Sequence, residues 1–230
     1  MDVPSEVDRP PAPIVFVLDC DNTLLDNDQV KSDMDAALRA LLGDALTARF
    51  WEVYEEVRKH KGTVDLPQTF ADFRADLPDD ATLEQVRSII MDYPFATRLF
   101  PATRDTIAYL REHGLPVIVS DGDSVYQPRK IEQSGLADAV QGQWVIYTHK
   151  EDHLDEVMRR WPAEFYLMVD DKARILAETK RRLPQRFVTA HLLKGHYAGD
   201  TYNPAPDIIL RDIADLRTLD LSALRTYLYR

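Results

Sequence analysis

IVFVLDCDNTLLDND, residues 14–28, starts as five apolar residues and runs straight into Asp19, Cys20 and Asp21. A short, continuous apolar run closed by turn-forming residues is the pattern of a strand buried on both faces. Asp and Asn are common after strands, because their side chains bond nearby backbone groups. Two carboxylates one residue apart therefore carry no chemistry by themselves. The ends of the other strands decide whether they do.

Those strands alternate with helices over the last 135 residues or so, as apolar spacings of about 2 and about 3.6 residues indicate. Buried strands are expected at 115–119 (LPVIV), 144–147, 165–169 (FYLMV), 187–190 and 208–210. Helices are expected at 103–113, 125–134, 151–161 and 173–183, with a short one near 212–216. Gly114 and Gly135 stand where the first two should close. This alternation implies parallel βαβ units, that is, an α/β fold with a doubly wound, mostly parallel sheet. Residues 28–93 differ. Leu38, Leu41, Leu42, then Phe50, Val53, Tyr54 and Val57 recur at helical steps, and no strand signal interrupts them. About four helices are expected there, the last with Thr82 as its N-cap. The chain therefore divides into a lead over 1–13, an α/β core over 14–27 and 94–230, and an all-helical insertion over 28–93.

Composition narrows the function. The chain has 230 residues, 45% of them apolar, and a formal net charge of −11. So acidic a protein has no general electrostatic attraction for nucleic acid or an anionic membrane. The basic run Lys180, Arg181, Arg182 with Arg186 is expected to be solvated charge at a helix end. The single cysteine, Cys20, forms no intrachain disulfide, which fits a reducing, cytoplasmic setting. Its place between the aspartates makes it a buried packing residue rather than a nucleophile. The opening MDVPSEVDRPPAP has neither the basic nor the apolar region of a signal peptide and reads as a flexible lead. No apolar run approaches the ~20 residues of a membrane helix. The sequence carries no signal for oligomeric state.

The expected strand ends carry Asp19 and Asp21, then Ser120, Asp121, Gly122 and Asp123, then His149 and Lys150, then Asp170 and Asp171. In a parallel sheet, carboxyl strand ends gather along one edge, where ligands bind. Like charges at ~4 Å cost about 4 kcal/mol per pair at an effective dielectric of ~20. Such a cluster takes up protons or holds a cation, and hard oxygen ligands suit Mg²⁺. With four motifs in order, the chain resembles the haloacid dehalogenase superfamily: DCDNTL is motif one, Ser120 motif two, Lys150 motif three and VDDK motif four. The helical insertion resembles the cap that this superfamily often places between motifs one and two.

The resemblance implies a Mg²⁺-dependent phosphatase acting on a small phosphorylated metabolite. Asp19 would be the nucleophile and Asp21 the general acid and base. Ser120, Lys150 and amides near Gly122 would bind phosphate. Asp19, Asp21 (through its backbone carbonyl), Asp170 and Asp171 would hold the metal. Motif one has Asn22 where many relatives have glycine, and motif four lacks a further aspartate close behind Asp171. Lys130 rivals Lys150, but it falls in a helix rather than after a strand. His149 is read as a spacer. The loop 193–203 is either a site entrance or plain surface. Arg49, Tyr54, Arg58 and Phe70 are candidate cap contacts. Hinges are expected near 26–29 and 93–95, on the view that little packs there. Two other functions stay open: a haloacid dehalogenase-type hydrolase, which in the family lacks the second motif-one aspartate, and a non-catalytic binding protein.

Overall fold

β1 (Ala12–Leu18) is the middle of the molecule. In the computed structural model, which describes residues 11–62 and 64–229, it pairs in parallel with β2 (Leu115–Asp121) on one side and β4 (Ala163–Asp170) on the other. β3 (Trp144–Tyr147), β5 (Phe187–Leu192) and β6 (Ile208–Leu210) complete a six-stranded, all-parallel sheet in the order β3-β2-β1-β4-β5-β6. The order reverses beside β1, so the chain ends of β1, β2 and β4 meet at a switch point.

Apolar alternation explains why β1 reads as continuous. Ile14, Phe16 and Leu18 join one cluster with Ile107, Leu110 and Ile131; Val15 and Val17 join another with Leu154, Val157 and Leu176. Each of the five is at most 4% exposed, and each contributes roughly 1.5–3 kcal/mol by leaving water. α4 (Thr103–His113), α5 (Tyr126–Gln133) and α6 (Leu136–Ala139) lie on the first face, α7 (Leu154–Arg160) and α8 (Ala173–Arg182) on the second.

Three helices intervene between β1 and α4: α1 (Asn27–Lys61), α2 (Leu66–Phe73) and α3 (Asp80–Met91). They pack on a core of their own, including Leu38, Phe50, Val53, Phe70, Phe73 and Val86. α1 is broken at Gly43, whose φ of 77° and ψ of 171° suit glycine alone. The break folds its two halves against each other, so the insertion is four helical pieces.

Several expected boundaries move. β1 begins at Ala12, whose amide donates to Pro162 O at 2.9 Å; the rest of the expected lead, residues 1–10, lies outside the described residues. The N-cap of α3 is Asp79, not Thr82: the Thr82 amide donates to the Asp79 carboxylate at 2.7 Å. The helix expected over 151–161 is a 3₁₀ turn (Lys150–Asp152) followed by α7. The short helix near 212–216 is a 3₁₀ turn, Ile213–Thr218, capped by Asp212. The expected hinges are packed. Phe95 is fully buried in the helical cluster, and Asp33 on α1 receives Tyr93 and Arg98 from the second linker. Among the described residues no helix is long and apolar enough to cross a membrane.

Candidate active site

The first residue past β1 is Asp19, and its amide donates to Val169 O on β4 at 3.0 Å. That backbone bond sets Asp19 beside Asp170, the last residue of β4, and Asp171. Each of the three offers an oxygen within 4.8 Å of the others, and none is more than 2% exposed. Lys150 reaches them from the turn after β3. Its amide is fixed by the Asp121 carboxylate at 2.8 Å. Its ammonium, also fully buried, lies 2.6 Å from Asp170, against Asp19, and 3.2 Å from Val119 O.

The lysines nearby do not offset the burial of three carboxylates. Burial, opposed by Lys150, pushes Asp19 up to about 6. Burial and then the neighbouring Asp170 and Asp19 push Asp171 up to about 9. For Lys150, burial acts to lower the pKa, but Asp170, Asp19 and Asp121 hold it well above the ordinary lysine value. Asp19 Oδ2 and both side-chain oxygens of Asp171 are buried without a hydrogen-bond partner. Buried polar atoms are rarely left so. Unpartnered oxygens on converging carboxylates are the donor set of a hard divalent cation.

Asp21 is placed differently. Its carboxylate turns away from the cluster to Lys130 on α5, which donates to both oxygens at 2.7 and 2.9 Å and to Asn27 Oδ1 at 2.9 Å. The Asp21 side chain thus stays outside the carboxylate cluster, and the metal role expected of this residue is through its backbone carbonyl only. Lys130 is 2% exposed. It does not follow a strand, yet the sequence carries a signal for it: Gln127, Lys130 and Ile131 share the buried i, i+3, i+4 face of α5. Lys172, just behind Asp171, is the other cation that sequence reasoning misses. Burial works against its charge, but Asp19 and Asp170 raise its pKa.

Ser120 is the next-to-last residue of β2 and is 1% exposed. Its hydroxyl accepts from Gln127 Nε2 at 3.0 Å. Gly122 departs from expectation, since its amide donates to Tyr147 O at 3.0 Å and is not free for phosphate. What this glycine supplies is room. A Cβ there would lie 2.8 Å from Gln127 Cβ and displace the side chain that holds Ser120. Asn22 has a φ of 56°, a left-handed conformation that explains glycine or asparagine at this point of motif one.

A cavity of about 550 Å³ opens over this edge. Asp21, Asp121, Asp171 and Lys172 form its floor, and Lys31, Phe50, Tyr54 and Arg58 of the helical insertion stand opposite. Of the candidate cap contacts, Tyr54 and Arg58 therefore face the cavity. Arg49 does not: it pairs outside with Asp76 and Glu52 at 3.3 and 3.4 Å. Phe70 is buried in the helical core, stacked on Phe50. His149 lines the cavity, as do His196, Tyr197 and Tyr202 of the loop 193–203. That loop is tied to the site: His196 binds Asp28 through its amide and Nδ1, both at 2.8 Å, and Gly195 (φ 64°) lies so close to Asn22 that a Cβ would come within 2.4 Å. Cys20 is buried, and burial lifts its thiol pKa. The basic run is used structurally: Lys180 pairs with Asp207, and Arg182 with Asp152 and Glu178.

A buried carboxylate triad with a lysine across it, on parallel strand ends under a helical insertion, agrees with what sequence comparison finds. Residues 15–177 match the model of the haloacid dehalogenase-like hydrolase family. The chain belongs to that family and is a hydrolase of its class. A haloacid dehalogenase-like hydrolase of Burkholderia xenovorans is 44% identical, covering 91% of this chain and all of its own, with a TM-score of 0.83. An L-2-haloacid dehalogenase of Xanthobacter autotrophicus shares the fold at 21% identity (TM-score 0.56; 90% of this chain, 96% of its own). So does a haloacid dehalogenase-family hydrolase of Bacillus subtilis bound to magnesium, at 16% identity (TM-score 0.57; 91% and 98%). No curated protein matches the sequence.

Proposed function

We propose that the protein is a Mg²⁺-dependent phosphatase that hydrolyses a small phosphorylated metabolite. The observation that carries this reading is the set of unpartnered oxygens on Asp19 and Asp171, buried beneath a cavity that Asp21 lines. Asp19, Asp170 and Asp171 would hold the cation, with the backbone carbonyl of Asp21. When bound, it would neutralise phosphate charge and make phosphorus a better electrophile.

The rest belongs to the chain. Asp19 attacks phosphorus and forms an aspartyl-phosphate as the alcohol leaves. Asp21 gives that alcohol its proton, then takes one from the water that releases phosphate and restores Asp19. Lys150 already lies against Asp19 and steadies its charge when the intermediate breaks down. The Ser120 hydroxyl has only a long contact to Asp121 O, at 3.4 Å, as acceptor; its proton is available to a phosphoryl oxygen. The lone buried Cys20 suits a reducing, cytoplasmic setting.

The similarity to an L-2-haloacid dehalogenase keeps one rival in view. In the family resemblance, dehalogenases attack carbon without metal and lack a counterpart of Asp21. Assay of phosphate release from aryl and alkyl phosphates with and without Mg²⁺, beside halide release from 2-haloacids, separates the two. Mg²⁺-dependent phosphate release, lost in Asp19→Asn, is the expected result. Metal-independent halide release would reverse the assignment, and no turnover of either kind would favour a binding protein.

A further inference from the structure

We propose that the cavity holds a second anion-binding subsite, built on Lys31 and Tyr54, and that the substrate is a phosphomonoester carrying a carboxylate at the end remote from its phosphate. This rests on the phosphatase reading and deepens it. Lys31 and Tyr54 are 23 positions apart in α1, about 35 Å on a straight helix. The break at Gly43 brings the Lys31 ammonium to 5.7 Å from the Tyr54 ring centre. Both line the cavity, on the wall opposite the carboxylate triad.

Charge pairing singles out Lys31. Most cations around the cavity are already matched. Lys130 is taken by Asp21, Arg58 by Glu55 at 2.7 Å and Arg174 by Glu151 at 2.6 Å, while the His196 ring is bonded to Asp28. The two carboxylates whose fields favour the Lys31 charge are Asp21 and Glu55, and both are held by those other cations. Among the described residues none forms an ion pair with Lys31. Its side chain is exposed and lines the cavity, where partial desolvation lowers its pKa. An ammonium on the cavity wall with no carboxylate partner is free to pair with an anion of the ligand. Lys172 is likewise without an ion-pair partner, but it stands beside Asp171 at the phosphate end. Two such ammonium groups on opposite walls suit a ligand with an anion at each end. Between them, Met34, Phe50, Tyr54 and Tyr126 offer apolar surface to a spacer.

The test uses the full chain with Mg²⁺ and calorimetric titration of ω-carboxyalkyl phosphonates of increasing length, beside alkyl phosphonates of the same length. At one or more lengths the carboxylate should tighten binding about tenfold or more. Lys31→Ala should erase that gain, and Lys31→Arg should keep most of it. The subsite is overturned if no length shows a gain, if none of the series binds, or if the gain survives in Lys31→Ala. Phosphate release from the matching phosphates is followed in parallel. A Lys31-dependent gain without any phosphate release leaves the subsite standing and refutes the phosphatase. Phosphate release without a gain refutes the subsite alone.

Discussion

Lys130 and Lys150 are both buried lysines, and each holds one of the two motif-one aspartates. An ammonium loses several kcal/mol of hydration on burial, recovered only by good geometry with its anions. The two pairs divide the labour that the proposed chemistry needs: Lys150 keeps Asp19 charged beside phosphorus, and Lys130 aims Asp21, with Asn27 completing its contacts. Replacing Lys130 by methionine keeps the length and removes the donor. Asp21 then loses both bonds but stays partly open to water, its side chain 24% exposed, so the fold should hold. The expected result in the Mg²⁺-dependent assay is a loss of about tenfold to a hundredfold in kcat, the range of misplaced acid–base groups, with an unchanged melting curve. An unaltered kcat would remove Lys130 from the positioning of Asp21.

Elements explain which of these residues are legible in advance. Asp19, Ser120, Lys150, Asp170 and Asp171 follow apolar runs, and a parallel sheet brings such positions together whatever else the chain does. Lys130 depends on how α5 docks, and only the buried face it shares with Gln127 and Ile131 hints at it. The Gly122 amide looks free in the sequence because its partner, Tyr147 O, is set by the pairing of β2 with β3, which local sequence does not encode. The linkers look loose because Asp33 lies 60 and 65 positions from Tyr93 and Arg98 in the chain. Asp33 accepts from Tyr93, from Gln29 at 2.8 Å and from Arg98 at 2.7 Å. The Tyr93 and Gln29 bonds, then Arg98, lower its pKa from the ordinary 3.8 to about 2. A depressed carboxylate stabilises the fold above its unfolded pKa, and that share is lost as pH falls through the folded one. Asp33→Asn should therefore unfold more readily than the parent by a constant margin down to about pH 4, with the margin closing towards pH 2. Denaturant midpoints across that range test this, and a margin independent of pH would show that the charge of Asp33 is not what pins the linker.

On the scale of the whole molecule, a parallel sheet supplies fixed chemistry and a helical insertion supplies the other wall. Contacts join the two. Arg129 on α5 donates to Met91 O and Asp92, at 2.7 and 2.5 Å; Lys130 reaches Asn27; His196 binds Asp28. They hold the helical wall of the cavity over the carboxylates. The central claim is that Asp19 takes a phosphoryl group. Acid quench during turnover of a small phosphomonoester with Mg²⁺, followed by peptide mass spectrometry, tests it most directly. The expected result is one added phosphoryl group on the peptide containing Asp19, absent without Mg²⁺ and absent in Asp19→Asn. Rapid phosphate release with that peptide unmodified at every quench time, or turnover surviving in Asp19→Asn, would contradict it.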